Sequence, residues 1–266
     1  PVVIDYVIKT LGEFRRGVGF PNKRFETGPV AHTVLFGAEY GDQSTTNERI
    51  DNTFAGSNDD QIVIDFTGSV QVPAFGFTNT IRDRESDVQF TSLYLQDQID
   101  LTDQLKLVAG LRYDRFDVEV LDLQAISPTD DGRRGRVDEE VSPRLGLIYK
   151  PAENISAYAS YSETFLPSAG DQFLVLTPTT ETVQPQRFEN TEIGLKWDLN
   201  AALSLTSAVF RVERGLFTSV DPNNVSQIIT IPGSVTDGFE AQLTGRVTAQ
   251  WTVNAGYSYL DSTVDG

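Results

Sequence analysis

Apolar and polar residues alternate along most of this chain. In "VSPRLGLIYKPAENISAYASYSETF" (141–165), Val141, Pro143, Leu145, Leu147 and Tyr149 share one parity, with Ser142, Arg144, Gly146 and Lys150 on the other. A strand sends residues i, i+2 and i+4 to one face, so this stretch predicts a ribbon with one apolar side, doubled back around Pro151 to Asn154. The rhythm recurs. Leu105, Leu107, Ala109, Leu111 and Tyr113 oppose Lys106, Arg112 and Asp114, and Ile193, Leu195 and Trp197 oppose Glu192, Lys196 and Asp198. Phe239, Ala241, Leu243, Val247 and Trp251 oppose Glu240, Gln242, Thr244 and Arg246, and Val253, Ala255, Tyr257 and Tyr259 continue the series. Helical spacing fits none of these segments, and the chain reads as all-β.

The connections say what the apolar side faces. Short turns are predicted near Gly28-Pro29-Val30, Thr102-Asp103-Gln104, Pro151 to Asn154, Asn200-Ala201 and Thr248-Ala249-Gln250. Most links between them are long and polar: 46–87, 121–138 and 167–186, with a shorter one near Asp221 to Asn224. Tight turns at one end and elaborate loops at the other are the layout of an antiparallel transmembrane β-barrel, with short periplasmic turns and long extracellular loops. A β-sandwich has no reason to keep one end tight. The segments 105–120 and 226–248 exceed the roughly 9–11 tilted residues that cross a bilayer, which predicts strands rising beyond it. Tyr149, Trp197 and Trp251 beside the short turns, and Phe165, Tyr257 and Tyr259 toward the long loops, suit aromatic girdles. On this reading Val141, Leu145, Leu147 and Tyr149 face lipid while Arg144 and Lys150 face the lumen.

Three places break the pattern. Asp97 shares the parity of Leu93, Leu95, Ile99 and Leu101, so either a local bulge or an acid held by a neighbouring strand is expected. The apolar parity of 105–120 switches from odd, through Tyr113, to even at Phe116, Val118 and Val120, where a bulge or the membrane boundary should fall. Glu163 lies on the apolar parity of its strand, near the expected outer rim.

Composition narrows the function. Of 266 residues, 38 are Asp or Glu and 21 are Lys or Arg, for a formal net charge of −17. So acidic a chain is not suited to nucleic acid, whose affinity comes from neutralising phosphates. The absence of Cys removes disulfides, thiolate metal sites and a Cys nucleophile. No apolar run approaches the roughly 18–20 residues of a membrane helix. With no Met, an opening at Pro1-Val2-Val3 and an end just after a strand-like run, the chain reads as an internal piece of a longer polypeptide.

Five runs carry a resemblance: "FETGPVAHTVLFGAEY" (25–40), "SLYLQDQIDLTDQLKLVAGLRYDRFD" (92–117), "VSPRLGLIYKPAENISAYASYSETFLPS" (141–168), "ENTEIGLKWDLNAALSLTSAVFRVER" (189–214) and "GFEAQLTGRVTAQWTVNAGYSYLDS" (238–262). In this order they resemble the barrel of TonB-dependent outer-membrane siderophore receptors. The resemblance implies a barrel of twenty-two strands around an N-terminal plug, in the outer membrane of a Gram-negative bacterium, energised through TonB. About ten strands are legible, so residues 1–266 are expected to be a partial barrel domain without plug, remaining strands or TonB-binding segment, and to act as a monomer against outer-membrane lipid. A passive porin-like channel and a secreted β-sandwich binding module are the alternatives.

No catalytic constellation is expected. His32 is the only His and lies beside a short turn, so a structural role is expected there. The acidic runs at Asn58 to Asp60, Thr129 to Asp131 and Asp138 to Glu140 lack the calcium-loop spacing, and no metal site or cofactor is expected. Iron would arrive already coordinated as the ferric siderophore, so the receptor needs aromatic surfaces for the organic shell and Arg or Tyr groups for the chelate oxygens. Candidates toward the long-loop ends are Arg82, Arg84, Phe90, Phe165, Arg187 and Phe217, with a basic cluster at Arg133, Arg134 and Arg136.

Overall fold

A computed structural model describes residues 2–3, 7–17, 23–54, 61–62, 74–167, 176, 184–221 and 224–264, with backbone alone at 2–3, 7–17, 52, 61–62, 78, 217–221 and 224–231. The elements in order are β1 (Val2–Val3), β2 (Val7–Gly17), β3 (Lys23–Thr27), β4 (Val30–Phe54), β5 (Gln61–Ile62), β6 (Phe75–Asp100), β7 (Leu105–Asp122), β8 (Arg133–Ala152) and β9 (Ile155–Leu166). They continue as β10 (Gln186–Asn200), β11 (Leu203–Arg214), β12 (Phe217–Asp221), β13 (Asn224–Ile231), β14 (Ser234–Arg246) and β15 (Thr252–Val264).

One eleven-stranded sheet holds most of them, in the order β15-β14-β11-β10-β9-β8-β7-β6-β4-β2, with β3 beside the lower part of β4. Every pairing is antiparallel and nearly every neighbour in space is the next strand in sequence, as a meander joined by tight turns requires. The exceptions are β11 with β14, between which β12 and β13 form a separate hairpin; β4 with β6, between which β5 pairs with β1; and β2 with β4, which β3 also joins. Among the described residues the outermost strands β15 and β2 do not pair with each other, so the sheet is open.

The predicted turns fall where expected. Gly28-Pro29 closes β3 on β4, and Gly28 adopts φ 65°, the left-handed region that a two-residue hairpin asks of its first position. The strands themselves are longer than hydropathy indicated. β4 and β6 have 25 and 26 residues and pair to Phe54↔Phe75, so much of the 46–87 link is ladder, not loop. Likewise 226–248 is not one strand: it breaks at Pro232-Gly233, and β14 ends at Arg246 before the turn that leads to Trp251. Gly233 sits at φ 147°, and a Cβ there would lie 2.6 Å from the carbonyl oxygen of Arg214.

The two faces of the sheet differ in kind. One carries Phe36, Leu93, Leu95, Leu111, Leu145, Leu147, Ile193 and Val209, all exposed. No second sheet covers it among the described residues, which do not form a β-sandwich. The other face is polar at the short-turn end and turns apolar further up. There Val88 of β6 and Val118 and Val120 of β7 pack with Leu176, from the link between β9 and β10, into a small core with Phe116 against it. This accounts for the parity switch of 105–120. β7 keeps unbroken register with β6 and β8 from Leu105 to Leu121, so no bulge occurs. The strand runs straight while its apolar residues change sides.

Asp97 is resolved in the same way. β6 passes through it in register with Val34 on one side and Ala109 on the other, again without a bulge. Its Oδ2 lies 2.7 Å from Nδ1 of His32 on β4, and the His32 ring stacks on Phe25 of β3 at 4.9 Å with planes 6° apart. The acid is held by a neighbouring strand. Glu163 is held too: Tyr161 donates its hydroxyl to Glu163 at 2.7 Å and, at 3.2 Å, to Glu189 directly opposite.

A repeated device shapes the polar face. Tyr94, Phe90, Tyr158 and Phe210 lie flat over their direct cross-strand partners Gly37, Gly41, Gly194 and Gly238. A Cβ on any of these glycines would come within 2.2–2.3 Å of the ring. The absence of a side chain on one strand is what lets the aromatic on the next lie along the wall rather than stand out from it.

Candidate functional site

The polar face of β6 changes character along its length, and the candidate site follows it. Near the free end of the strand stand Arg82 and Arg84; further down come Val88 and Phe90, then Ser92 and Tyr94. With successive same-face residues about 6.6 Å apart, Arg84 and Phe90 are separated by about 20 Å.

The middle of this line is aromatic. Phe90 stacks on Phe116 of β7 with centroids 5.7 Å apart and planes at 26°. Phe116 in turn meets Phe165 of β9 edge-on at 5.8 Å and 76°. Arg187 of β10, directly opposite Phe165 in register, donates from Nη2 to Oε2 of Glu140 on β8 at 2.6 Å. The structure therefore brings Phe90, Phe165 and Arg187 to one region and adds Phe116 and Glu140, neither of which was a ligand candidate from the sequence. Phe116 had a signal in the parity switch. Glu140 had none, because its role depends on strand pairing.

Below this lies a concavity of about 550 Å³ whose lining includes Tyr94, Arg112, Asp114, Phe116, Arg144 and Phe165. Arg112 organises its floor. Its Nε donates to both oxygens of Asp114 at 3.0 and 2.9 Å, and its Nη2 donates to Oε2 of Glu39 at 3.0 Å and to Oγ of Ser92 at 2.9 Å. The guanidinium also sits 5.7 Å from the centroid of the Tyr94 ring, within cation–π range. Ser92 completes the knot by donating to Asp114, which is almost wholly buried. One cation here satisfies two carboxylates, which fixes the rotamers of everything around it.

The remaining candidates fall elsewhere. Arg84 donates to Asp122 of β7 at 2.8 Å, and Arg82 stands opposite Arg49 of β4 at the long-loop rim. Phe217 begins β12, and its side chain is outside the described residues. The basic run 133–136 is partly neutralised: Arg134 donates to Asp130 at 3.0 Å and Arg136 to Asp138 at 2.9 Å. Arg134, with a further bond from the Gly132 amide, holds the Asp130 carboxyl below the usual carboxylate range. Among the described residues no group of three His, Asp or Glu side chains converges as a metal site. Asn58 to Asp60 lie outside the described residues.

A single sheet with one exposed apolar face, tight turns at one end, and aromatic and arginine side chains on the other face toward the long-loop end define the wall of a membrane receptor barrel. The sequence profile described as TonB dependent receptor-like, beta-barrel matches residues 7–266, and the chain belongs to that family. It is a family of outer-membrane receptors that transport and not of enzymes, which sets aside the passive-porin alternative. The chain is 31% identical over 259 residues to the probable TonB-dependent siderophore receptor PiuA of Acinetobacter baumannii, covering 90% of this chain and 34% of that protein. It is 33% identical over 202 residues to the probable TonB-dependent receptor BfrD of Bordetella pertussis, covering 71% and 27% respectively. The crystal structure of the siderophore receptor PiuA from Acinetobacter baumannii superposes with a TM-score of 0.74 at 28% identity, over 97% of this chain and 39% of that one. The chain thus spans about a third of the length of the relatives it matches.

Proposed function

We propose that residues 1–266 are part of the barrel domain of a TonB-dependent receptor that takes up ferric siderophores through the outer membrane of a Gram-negative bacterium. The observation that carries this reading is the 31% identity to the siderophore receptor PiuA across nine-tenths of the chain. The exposed band of Phe36, Leu93, Leu95, Leu111, Leu145 and Ile193 then meets lipid, and the short turns lie in the periplasm. The polar face lines the lumen. The protein acts as a monomer, powered by the TonB complex through a segment outside this chain.

Iron enters as cargo, already chelated, and no resident cofactor is required. Phe90, Phe116 and Phe165 offer the organic shell of the chelate an apolar surface at the extracellular end of the lumen. Arg187, more than half exposed, can exchange part of its bond to Glu140 for a chelate oxygen.

Deleting the gene for the full-length protein should abolish uptake of at least one radiolabelled ferric siderophore in iron-starved cells, and a plasmid copy should restore it. Recovery should require an intact TonB system. Uptake of every siderophore tested at the parental rate in the deletion strain, with other receptors removed, would overturn the reading.

A further inference from the structure

The apolar face of the sheet is interrupted by ionisable groups in one place. Below the level of Tyr40, Tyr113, Tyr161 and Val209, the Asp, Glu, His, Lys and Arg side chains on its strands are, among the described residues, Lys23, His32 and Asp97. These three adjoin one another. Lys23 of β3, Val34 of β4 and Asp97 of β6 stand side by side in register, and the pair Phe25 and His32 lies one same-face step nearer the short turn. Charge on a lipid-facing strand costs stability, least at the membrane interfaces. Asp97 comes four residues before Leu101 and Lys23 five before Gly28, much as Trp197 comes four before Ala201. Aromatic girdles mark the interface, so the three groups sit at the headgroup level of the periplasmic leaflet.

Two of the three have a donor to spare. Lys23 is exposed and has no hydrogen-bond or carboxylate partner among the described residues. Asp97 stands two strand spacings away, about 10 Å between backbones, and is engaged by His32. The imidazole is fixed on two sides: Nδ1 lies 2.7 Å from the Asp97 carboxylate, and the Phe25 ring lies flat against it. Nε2 is therefore the nitrogen left for an outside partner, and in the doubly protonated ring both nitrogens donate. Lys23 and His32 are diagonal neighbours on paired strands, roughly 7–8 Å apart, a span that one phosphate between their side chains bridges.

We infer that Lys23 and His32 seat the phosphate of one phospholipid of the periplasmic leaflet on the outside of the wall. This rests on the reading above in which this face meets lipid, and adds a particular lipid contact to it. The phosphodiester anion gives Lys23 the opposite charge it lacks and accepts from Nε2 of His32. Phe25 packs beside the headgroup at girdle depth. Asp97 is a positioning residue, acting on the lipid only by holding the imidazole.

The full-length receptor, stripped of lipid in a non-ionic detergent, is titrated with phosphatidylglycerol, with diacylglycerol of the same chains, and with inorganic phosphate, and bound molecules are counted by native mass spectrometry. Wild type should hold one phosphatidylglycerol more tightly than any further copies. Lys23→Gln should weaken that first site about fivefold or more, and Lys23→Arg should stay within about twofold of wild type. The double variant His32→Leu with Asp97→Leu should weaken it about fivefold as well. Diacylglycerol, which lacks the phosphate, should bind all four proteins alike, and inorganic phosphate should not displace the lipid. Without lipid, Lys23→Gln should melt at the wild-type temperature; added phosphatidylglycerol should raise the melting temperature of wild type and not that of Lys23→Gln.

A first site of undiminished affinity in Lys23→Gln or in the double variant would overturn the inference and leave the lipid-facing reading standing. So would displacement of the lipid by inorganic phosphate, which would mark a site for free anions. A lowered melting temperature of Lys23→Gln without lipid, or its failure to fold, would overturn it too, because Lys23 would then serve a partner within the protein. A full-length receptor that stays dispersed in water without detergent would overturn the lipid-facing reading together with the inference.

Discussion

Replacing His32 with Leu should destabilise the full-length protein by about 2 kcal/mol, and replacing His32 and Asp97 together with Leu should return most of that loss. His32 is the one hydrogen-bond partner of Asp97 among the described residues, and the second carboxyl oxygen, Oδ1, is already buried without one. Removing the imidazole would leave a carboxylate with no donor beside Val34, Leu95, Ile99 and Ala109. Removing both groups leaves that face apolar, and the desolvation penalty disappears with the charge. The contact with Phe25 is lost in both variants, so the difference between them isolates the unpartnered acid. Urea midpoints in lipid vesicles, or the temperature at which the folded band is lost on detergent gels, would measure it. Equal losses in the single and double variants would show that the pair is not what this position requires.

The second large effect is expected at Gly41. A Cβ there would lie 2.2 Å from Cε1 and 2.3 Å from Cζ of Phe90, which is far inside contact distance. Gly41→Ala should cost about 1–3 kcal/mol and force Phe90 away from the wall and out of its stack on Phe116. Siderophore affinity should fall along with stability. Gly41→Ala combined with Phe90→Ala should recover stability while affinity stays low, because the clash is gone but the aromatic surface is not restored. A Gly41→Ala protein with native stability and native affinity would show that the ring has room to yield.

Much of this architecture was legible in the chain. Period-two alternation set the strands 105–114, 141–149, 189–198 and 251–260 on one face, and the short turns predicted from Gly28-Pro29 to Thr248-Ala249-Gln250 fell into place. What was missed shares a physical cause. Between Thr46 and Phe54, and again from Phe75 to Asp87, polar residues stand on both faces and the register shifts at Arg49/Ile50 and Asp51/Asn52, so hydropathy has no period there even though the two strands stay paired. The opposite error, joining 226–248 into one strand, came from an apolar pattern that ignored the break at Pro232-Gly233.

The site was legible residue by residue but not as a constellation. Phe90, Phe165 and Arg187 are far apart in sequence, and only the pairing of β6 through β10 makes them neighbours. The same is true of Asp97, read as a break in the pattern, and His32, read as a lone structural histidine, which 65 positions separate. Arg112 looked like one polar residue among many. Its importance depends on Asp114, two residues along its own strand, and on Glu39 reaching it from β4.

The straight passage of β7 through its change of apolar side has an evolutionary corollary. Residues up to Tyr113 and residues from Phe116 are assigned to opposite sides by a single uninterrupted register. Inserting or deleting one residue between them would preserve one half only by inverting the other. Relatives should therefore differ in length at the tips, as in 123–132 between β7 and β8, and hardly ever within the wall. A family that must diversify what it recognises while keeping its wall intact is left with its loops as the place to do so.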